Sequence, residues 1–149
     1  MSDPMSMLTR PALKLTHRGA SLVLAAAVDA AEAMKVPECI AIVDEGCNLL
    51  AFIRMDGSRV LSIESATRKA MTAATTGQPT GNILPDKALL LAEATSGRMT
   101  NLPGGVPLIA HGHIVGGIGV GSGPGEQDLE IAQAAADVFQ KMIKEGQIA

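Results

Sequence analysis

From Ala20 through Leu24, Ala27 and Ala31 to Met34, apolar residues recur every three or four positions, the spacing of one face of an α-helix. Thr16, just ahead of them, has the side chain of an N-cap, and Val36-Pro37 closes the run because proline disfavours helical geometry in the residue before it. The period then shortens. ECIAIVD and NLLAFIRM are runs rich in Ile, Val, Leu and Phe, split by Asp44-Glu45-Gly46-Cys47, and they predict an antiparallel hairpin. Met55-Asp56-Gly57-Ser58 has turn chemistry. Ser62 is placed to cap a second helix, with Ile63, Ala66, Ala70 and Ala73 on its inner side, Glu64, Arg68 and Lys69 on its exposed side, and an end near Gly77 and Pro79. Pro85 opens a shorter helix, KALLLAEATSG, and Met99 to Leu102 reads as a brief strand before Pro103-Gly104-Gly105. Val106 to Ala110 and Ile114 to Val120 make a second hairpin around His111-Gly112-His113. A last helix follows from about Glu126 to Lys144, carried on Ile131, Ala135, Val138, Phe139 and Met142.

The resulting order, α-β-β-α-α-β-β-β-α, lacks the strict alternation of a parallel doubly wound sheet. It predicts an α+β domain, an antiparallel sheet with helices packed on it. A chain of 149 residues holds one such core. Residues 1–14, with Pro4 and Pro11 and no sustained period, are expected to be a flexible arm, and residues 15–149 the single domain. Hydrophobic residues make up 47% against 18% charged, which suggests that some apolar surface is covered by further copies in a homo-oligomer, a dimer or higher. A net charge of −3, two Phe and no Tyr or Trp leave neither a basic stripe nor a stacking platform for nucleic acid. Lys14 and Arg18 ahead of GASLVLAAAVDA mimic a secretory signal, yet Asp29 and Glu32 continue the same helical pattern, so the segment is read as a helix of the domain. No run approaches a membrane span. Cys39 and Cys47 are read as reduced thiols of a cytoplasmic protein.

Chemistry is suggested most strongly by VPLIAHGHIVGGIGVGSG. Its glycines, followed by a helix, superficially match a G-x-G-x-x-G loop, but the strand and acidic residue that should follow in a dinucleotide fold are missing. Anion or carboxylate binding at the helix start is the better reading. His111 and His113 straddle a turn without a third ligand at a diagnostic distance, so no metal site is expected. His17 at the start of the first helix is a solvent-reachable imidazole and a candidate axial haem ligand. No serine sits in a nucleophile elbow. Lys69 stands beside Arg68, a neighbour that would lower its pKa toward a usable amine.

Two longer stretches together resemble a known family. AIVDEGCNLLAFIRMDGSRVLSIESATRKAMTAATTGQPT is similar to a segment in which V-D-x-G-G leads to L-x-A-F-x-R-M-D-G and then K-A-x-T-A-A. PGGVPLIAHGHIVGGIGVGSGPGEQDLEIAQAA is similar to P-G-G-x-P, a hairpin, V-G-x-I-G-V-S-G and a helix opening with E-Q-D. Both belong to the GlcG/HbpS-like family of haem-binding proteins, also found as the C-terminal domain of PduO-type cobalamin adenosyltransferases. The resemblance implies a profilin-like fold, a five-stranded antiparallel sheet flanked by helices, commonly in dimers or higher oligomers. It also implies haem binding in some relatives, so haem is the candidate cofactor, with His17 in the early-helix region that supplies an iron ligand in some of them. Asp44, Arg54, Asp56, Lys69, Pro103, Gly104, Gly105, Gly116, Gly119 and Asp128 fall at matching motif positions. Cys47, His111 and Gly121 depart from the pattern, replacing a glycine, an aspartate and a serine.

Two functions follow as expectations. In the first, a largely apolar cleft between the second helix, the Pro103-Gly104-Gly105 loop and the Gly116 to Gly123 strand holds haem or another small carboxylated molecule, with Arg54, Pro103, Gly104, Gly105, Gly121 and Ser122 as its contacts. In the second, a cofactor-independent lyase, isomerase or tautomerase acts on a small carbonyl or carboxylate compound. There Lys69, Asp44 and His111 form the catalytic set, and amides near Gly104 or Gly121 stabilise a developing oxyanion.

Overall fold

A computed structural model describes residues 7–146, and the first six residues of the expected arm lie outside them, as do the last three of the expected domain. The described part of the arm, up to Lys14, is exposed. The elements are α1 (His17–Met34), β1 (Cys39–Asp44), β2 (Leu49–Arg54), α2 (Ser62–Thr76), α3 (Pro85–Ala94), β3 (Gly105–Ala110), β4 (His113–Gly121) and α4 (Gly125–Lys144). None of these helices is long and apolar enough to cross a membrane.

Local chemistry explains most boundaries. Thr16 caps α1 by accepting the Gly19 amide at 2.9 Å, and Lys35 ends it in a left-handed conformation that returns its amide to Ala31 and Glu32. Gly77, at φ 69°, stops α2 in the same way. Ser62 does not cap that helix: turn bonds from the Ser62, Ile63 and Glu64 amides to Arg59, Val60 and Leu61 already wind the chain, so Leu61 takes the cap position without a side-chain bond. His111 and Gly112, at φ 51° and 78°, form a two-residue turn between β3 and β4, the geometry that matches strand twist.

Among the described residues the sheet is antiparallel with order β2-β1-β4-β3, four strands and not five. The expected strand from Met99 to Leu102 does not form, because side chains take its backbone partners. Thr95 Oγ1 accepts the Met99 amide at 2.9 Å, Thr72 Oγ1 accepts the Thr100 amide at 3.0 Å, and Thr80 Oγ1 donates to the Leu102 carbonyl at 2.6 Å.

Helices cover both faces. α2 lies across β4, β1 and β3, while α1 and α4 pack on each other and on the opposite face. β1 serves both layers by alternation: Ile40 and Ile42 enter the larger core with Val23, Leu108, Ile118, Ile131 and Phe139, whereas Cys39, Ala41 and Val43 meet Ala66, Ala70 and Ala74 of α2. The α2 side is thin because both surfaces are built from small residues. A Cβ on Gly117 or Gly119 would run into the carbonyl oxygens of Ala70 and Ala66, and one on Gly121 would lie 2.9 Å from Ser65 Oγ. Close backbone approach is what these glycines provide. By contrast, no residue of α3 is buried.

Candidate functional site

The hollow expected beside the glycine strand is closed, since the backbone of α2 occupies the space that the missing side chains leave. Against this floor Lys69, expected on the exposed face, points inward and is 4% exposed. It lies three residues after Ala66 and four before Ala73, so helical geometry places it on their small-residue face. Its ammonium donates to the Val120 carbonyl at 2.8 Å and to the Asp128 carboxylate at 3.2 Å. The other oxygen of Asp128 accepts the Gly123 amide at 3.1 Å. Arg68 turns away to the Gly97 carbonyl at 3.0 Å.

Glu38, fully buried, completes this cluster: a Cβ on Gly123 would sit 2.8 Å from Asp128 Oδ1 and 3.0 Å from Glu38 Oε1, so the two carboxyls converge on one point of backbone. As a carboxylate, Glu38 finds no donor for either oxygen among the described residues. Burial pushes its pKa up to about 9, and the neighbouring Asp128 carboxylate pushes the same way, against the lowering influence of the nearby Gly123 backbone and Lys69. At neutral pH it is a buried acid. Gly104, at φ 124°, closes the cluster from above, and a Cβ there would lie 3.0 Å from Lys69 Nζ. Ser122 Oγ accepts the Arg59 amide at 2.9 Å nearby, and Pro103 rests against Gly81 and Gly125. Arg54 pairs in register with Cys39, whose other neighbour is Gly121, so it marks the same end of the sheet. The structure thus gathers Lys69, Pro103, Gly104, Gly105, Gly121, Ser122 and Arg54 at that end, with the charges of Lys69 and Asp128 sealed from solvent.

Asp44 lies at the other end of β1, about 17 Å away over six residues. Its carboxylate is engaged by the Gly46 and Asn48 amides, both at 2.9 Å, and by Asn48 Nδ2 at 3.3 Å. Burial raises its pKa, but these bonds and Lys14 at 3.9 Å outweigh it and hold the carboxyl below the ordinary range. Asp44 shapes its turn. His111 and His17 also belong to this end, so Lys69 stands apart from the other two members of the expected catalytic set.

Here the molecule is open. A cavity of about 560 Å³ lies between the start of α1, the β3–β4 turn and the end of α4. Leu22, Val23, Val115, Val138, Phe139 and Ile143 form its apolar wall, and His17, His111, Lys14 and Arg18 its polar lining, with no carboxylate among them. Thr16 fixes the helix start that carries His17. Lys14 reaches Glu45 as well as Asp44. The sequence reading missed this wall and Glu38. The apolar stripe of α4 continuing through Met142 and Ile143 to the helix end was the available signal for the wall, and an acid directly ahead of the strand CIAIVD was the signal for Glu38.

Comparison with known proteins accords with this architecture. The family model described as haem degrading protein HbpS-like matches residues 15–137. The uncharacterized 15.0 kDa protein of the dhaT-dhaS intergenic region of Citrobacter freundii is 34% identical over 135 residues, 83% of this chain and 95% of that protein. The crystal structure of Klebsiella pneumoniae protein ORFY superposes with a TM-score of 0.82 at 29% identity, covering 89% of this chain and 94% of the other. The PduOC–haem complex superposes with a TM-score of 0.77 at 31% identity, covering 84% and 94%. An antiparallel sheet between helical layers, with the paired signatures folded into its hairpins and α2, belongs to a chain of the HbpS-like family.

Proposed function

We propose that the chain binds haem, or an apolar molecule of similar shape bearing carboxylates, in the cavity between α1, the β3–β4 turn and α4. The observation that carries the reading is the lining itself: an apolar wall, two exposed imidazoles, two cations and no acid around about 560 Å³, within the size range of small-molecule sites. These residues fit haem. His17 would offer its imidazole to the iron, Arg18 would face a propionate, and Leu22, Val138, Phe139 and Ile143 would cover the ring. Bound haem would supply a redox-active iron. The PduOC–haem complex, at 31% identity, supports the reading.

The setting follows the same logic. Free Cys39 and Cys47 suit a reducing cytoplasm. Leu89 and Leu90 of α3, 76% and 64% exposed, suit burial in a homo-oligomer, and helices on both sheet faces suit a profilin-like arrangement. The test is a titration of the full chain with haemin followed by the Soret band. Saturable binding at micromolar haemin, weakened at least about tenfold by His17→Ala, supports the reading, taking loss of an iron ligand to cost no less than the roughly 10–100-fold seen when supporting groups are removed. A wild-type chain that leaves the haemin spectrum unchanged overturns it.

A further inference from the structure

We propose that His111 is a second donor to the guest of this cavity, so that His17 and His111, from opposite ends of the sequence, both contact one bound molecule; with haem as the guest, each would offer a nitrogen to the iron. The proposal rests on the haem reading of the cavity and says which residues hold the iron.

Three observations carry it. First, both imidazoles line the same cavity, one from the first turn of α1 and the other from the β3–β4 turn. Second, the ring of His111 has no structural employment. The turn requires a left-handed residue at φ 51°, which Asn, Asp or Gly supplies as readily, and no hydrogen bond or ion pair engages the imidazole among the described residues. Third, the other nitrogen and oxygen groups of the lining are committed or unsuited, which leaves the Met142 thioether as the weaker alternative to the imidazoles. Thr16 Oγ1 caps α1, Lys14 serves Glu45 and Asp44, and Arg18 is a cation without a lone pair to give. The neutral imidazole is therefore the nitrogen donor of this cavity, and the lining offers it twice.

Two imidazole donors would favour a low-spin iron slow to accept exogenous ligands, which would suit carriage or electron transfer more than chemistry at an open position. The test uses the full chain reconstituted with ferric haemin, read by absorption and electron paramagnetic resonance. Wild type is expected to be low-spin, and His111→Asn, which preserves the turn, is expected to retain a Soret band while shifting to high-spin and binding cyanide faster. His111→Gly serves as a second variant should the first misfold, and an unchanged thermal midpoint confirms an intact fold. A haem-loaded His111→Asn protein with the wild-type spectrum overturns this proposal alone. A wild type that binds no haemin overturns the reading of the cavity, and this proposal with it.

Discussion

The two ends of the sheet use polar residues in opposite ways. At one end Glu38, Lys69 and Asp128 lie under a glycine loop and a glycine-floored helix, 0%, 4% and 1% exposed, with the ammonium spent on neighbours inside the chain. At the other, His17 and His111 stand exposed on the rim of an apolar cavity, with their rings unengaged. The first arrangement fastens three segments together: α2 through Lys69, α4 through Asp128, and the chain ahead of β1 through Glu38. The second leaves donors free for something outside the chain. Motif membership marks Lys69 and Asp128 of the first set, yet access decides which set can meet a ligand.

That contrast is easiest to break at the sealed end. Replacing Lys69 with Met leaves Asp128 buried without its cation, and a loss of roughly 3–5 kcal/mol in urea unfolding is expected, because an uncompensated buried charge is costly. Haemin affinity of the folded fraction should not change, and a large change in affinity with full stability would mean that Lys69 serves a ligand. Gly119→Ala should cost about 3 kcal/mol, the upper part of the overpacking range, since its methyl meets the Ala66 carbonyl and the Ala70 amide of α2. Calorimetry would show the lowered midpoint, and a neutral result would mean that α2 rides higher on the sheet.

A subtler contrast is in pH. The Glu38 carboxyl titrates near 9 in the folded chain against an ordinary 4.5, so the folded state holds a proton that the unfolded state releases. Its contribution is complete below the unfolded value and fades as pH rises through about 9. Asp44 has the opposite sign, its contribution fading on acidification. Unfolding free energies measured from pH 5 to 9 should therefore decline, and Glu38→Gln, which mimics the neutral acid, should flatten the decline. An equally steep decline in the variant would assign it elsewhere.

Both hairpins, the Thr16 cap and the Gly77 stop were legible in the sequence, because each depends on residues within a few positions of one another. What escaped depends on distance. Nothing local to Lys69 announces that Asp128 comes to meet it, and its place among Ala66, Ala70 and Ala73 could have been noticed only by treating charge as no guarantee of exposure. The glycines of β4 signal close approach but not the visitor, and here it is a helix of the same chain. The strand at Met99 to Leu102 was lost to side chains of Thr95, Thr72 and Thr80, which compete for backbone groups in a way that apolar pattern does not reveal. His17 and His111 both stand out in the sequence, but only the tertiary structure puts them on one cavity.

The glycine floor also limits how this architecture can diversify. With main chain pressed against main chain on the α2 side, almost any enlargement there meets an immovable atom, whereas Leu22, Val138, Met142 and their neighbours can be exchanged for bulkier, smaller or more polar residues with little disturbance elsewhere. New specificities in this lineage should accumulate on the α1–α4 side, leaving the glycine-bearing layer as the fixed chassis.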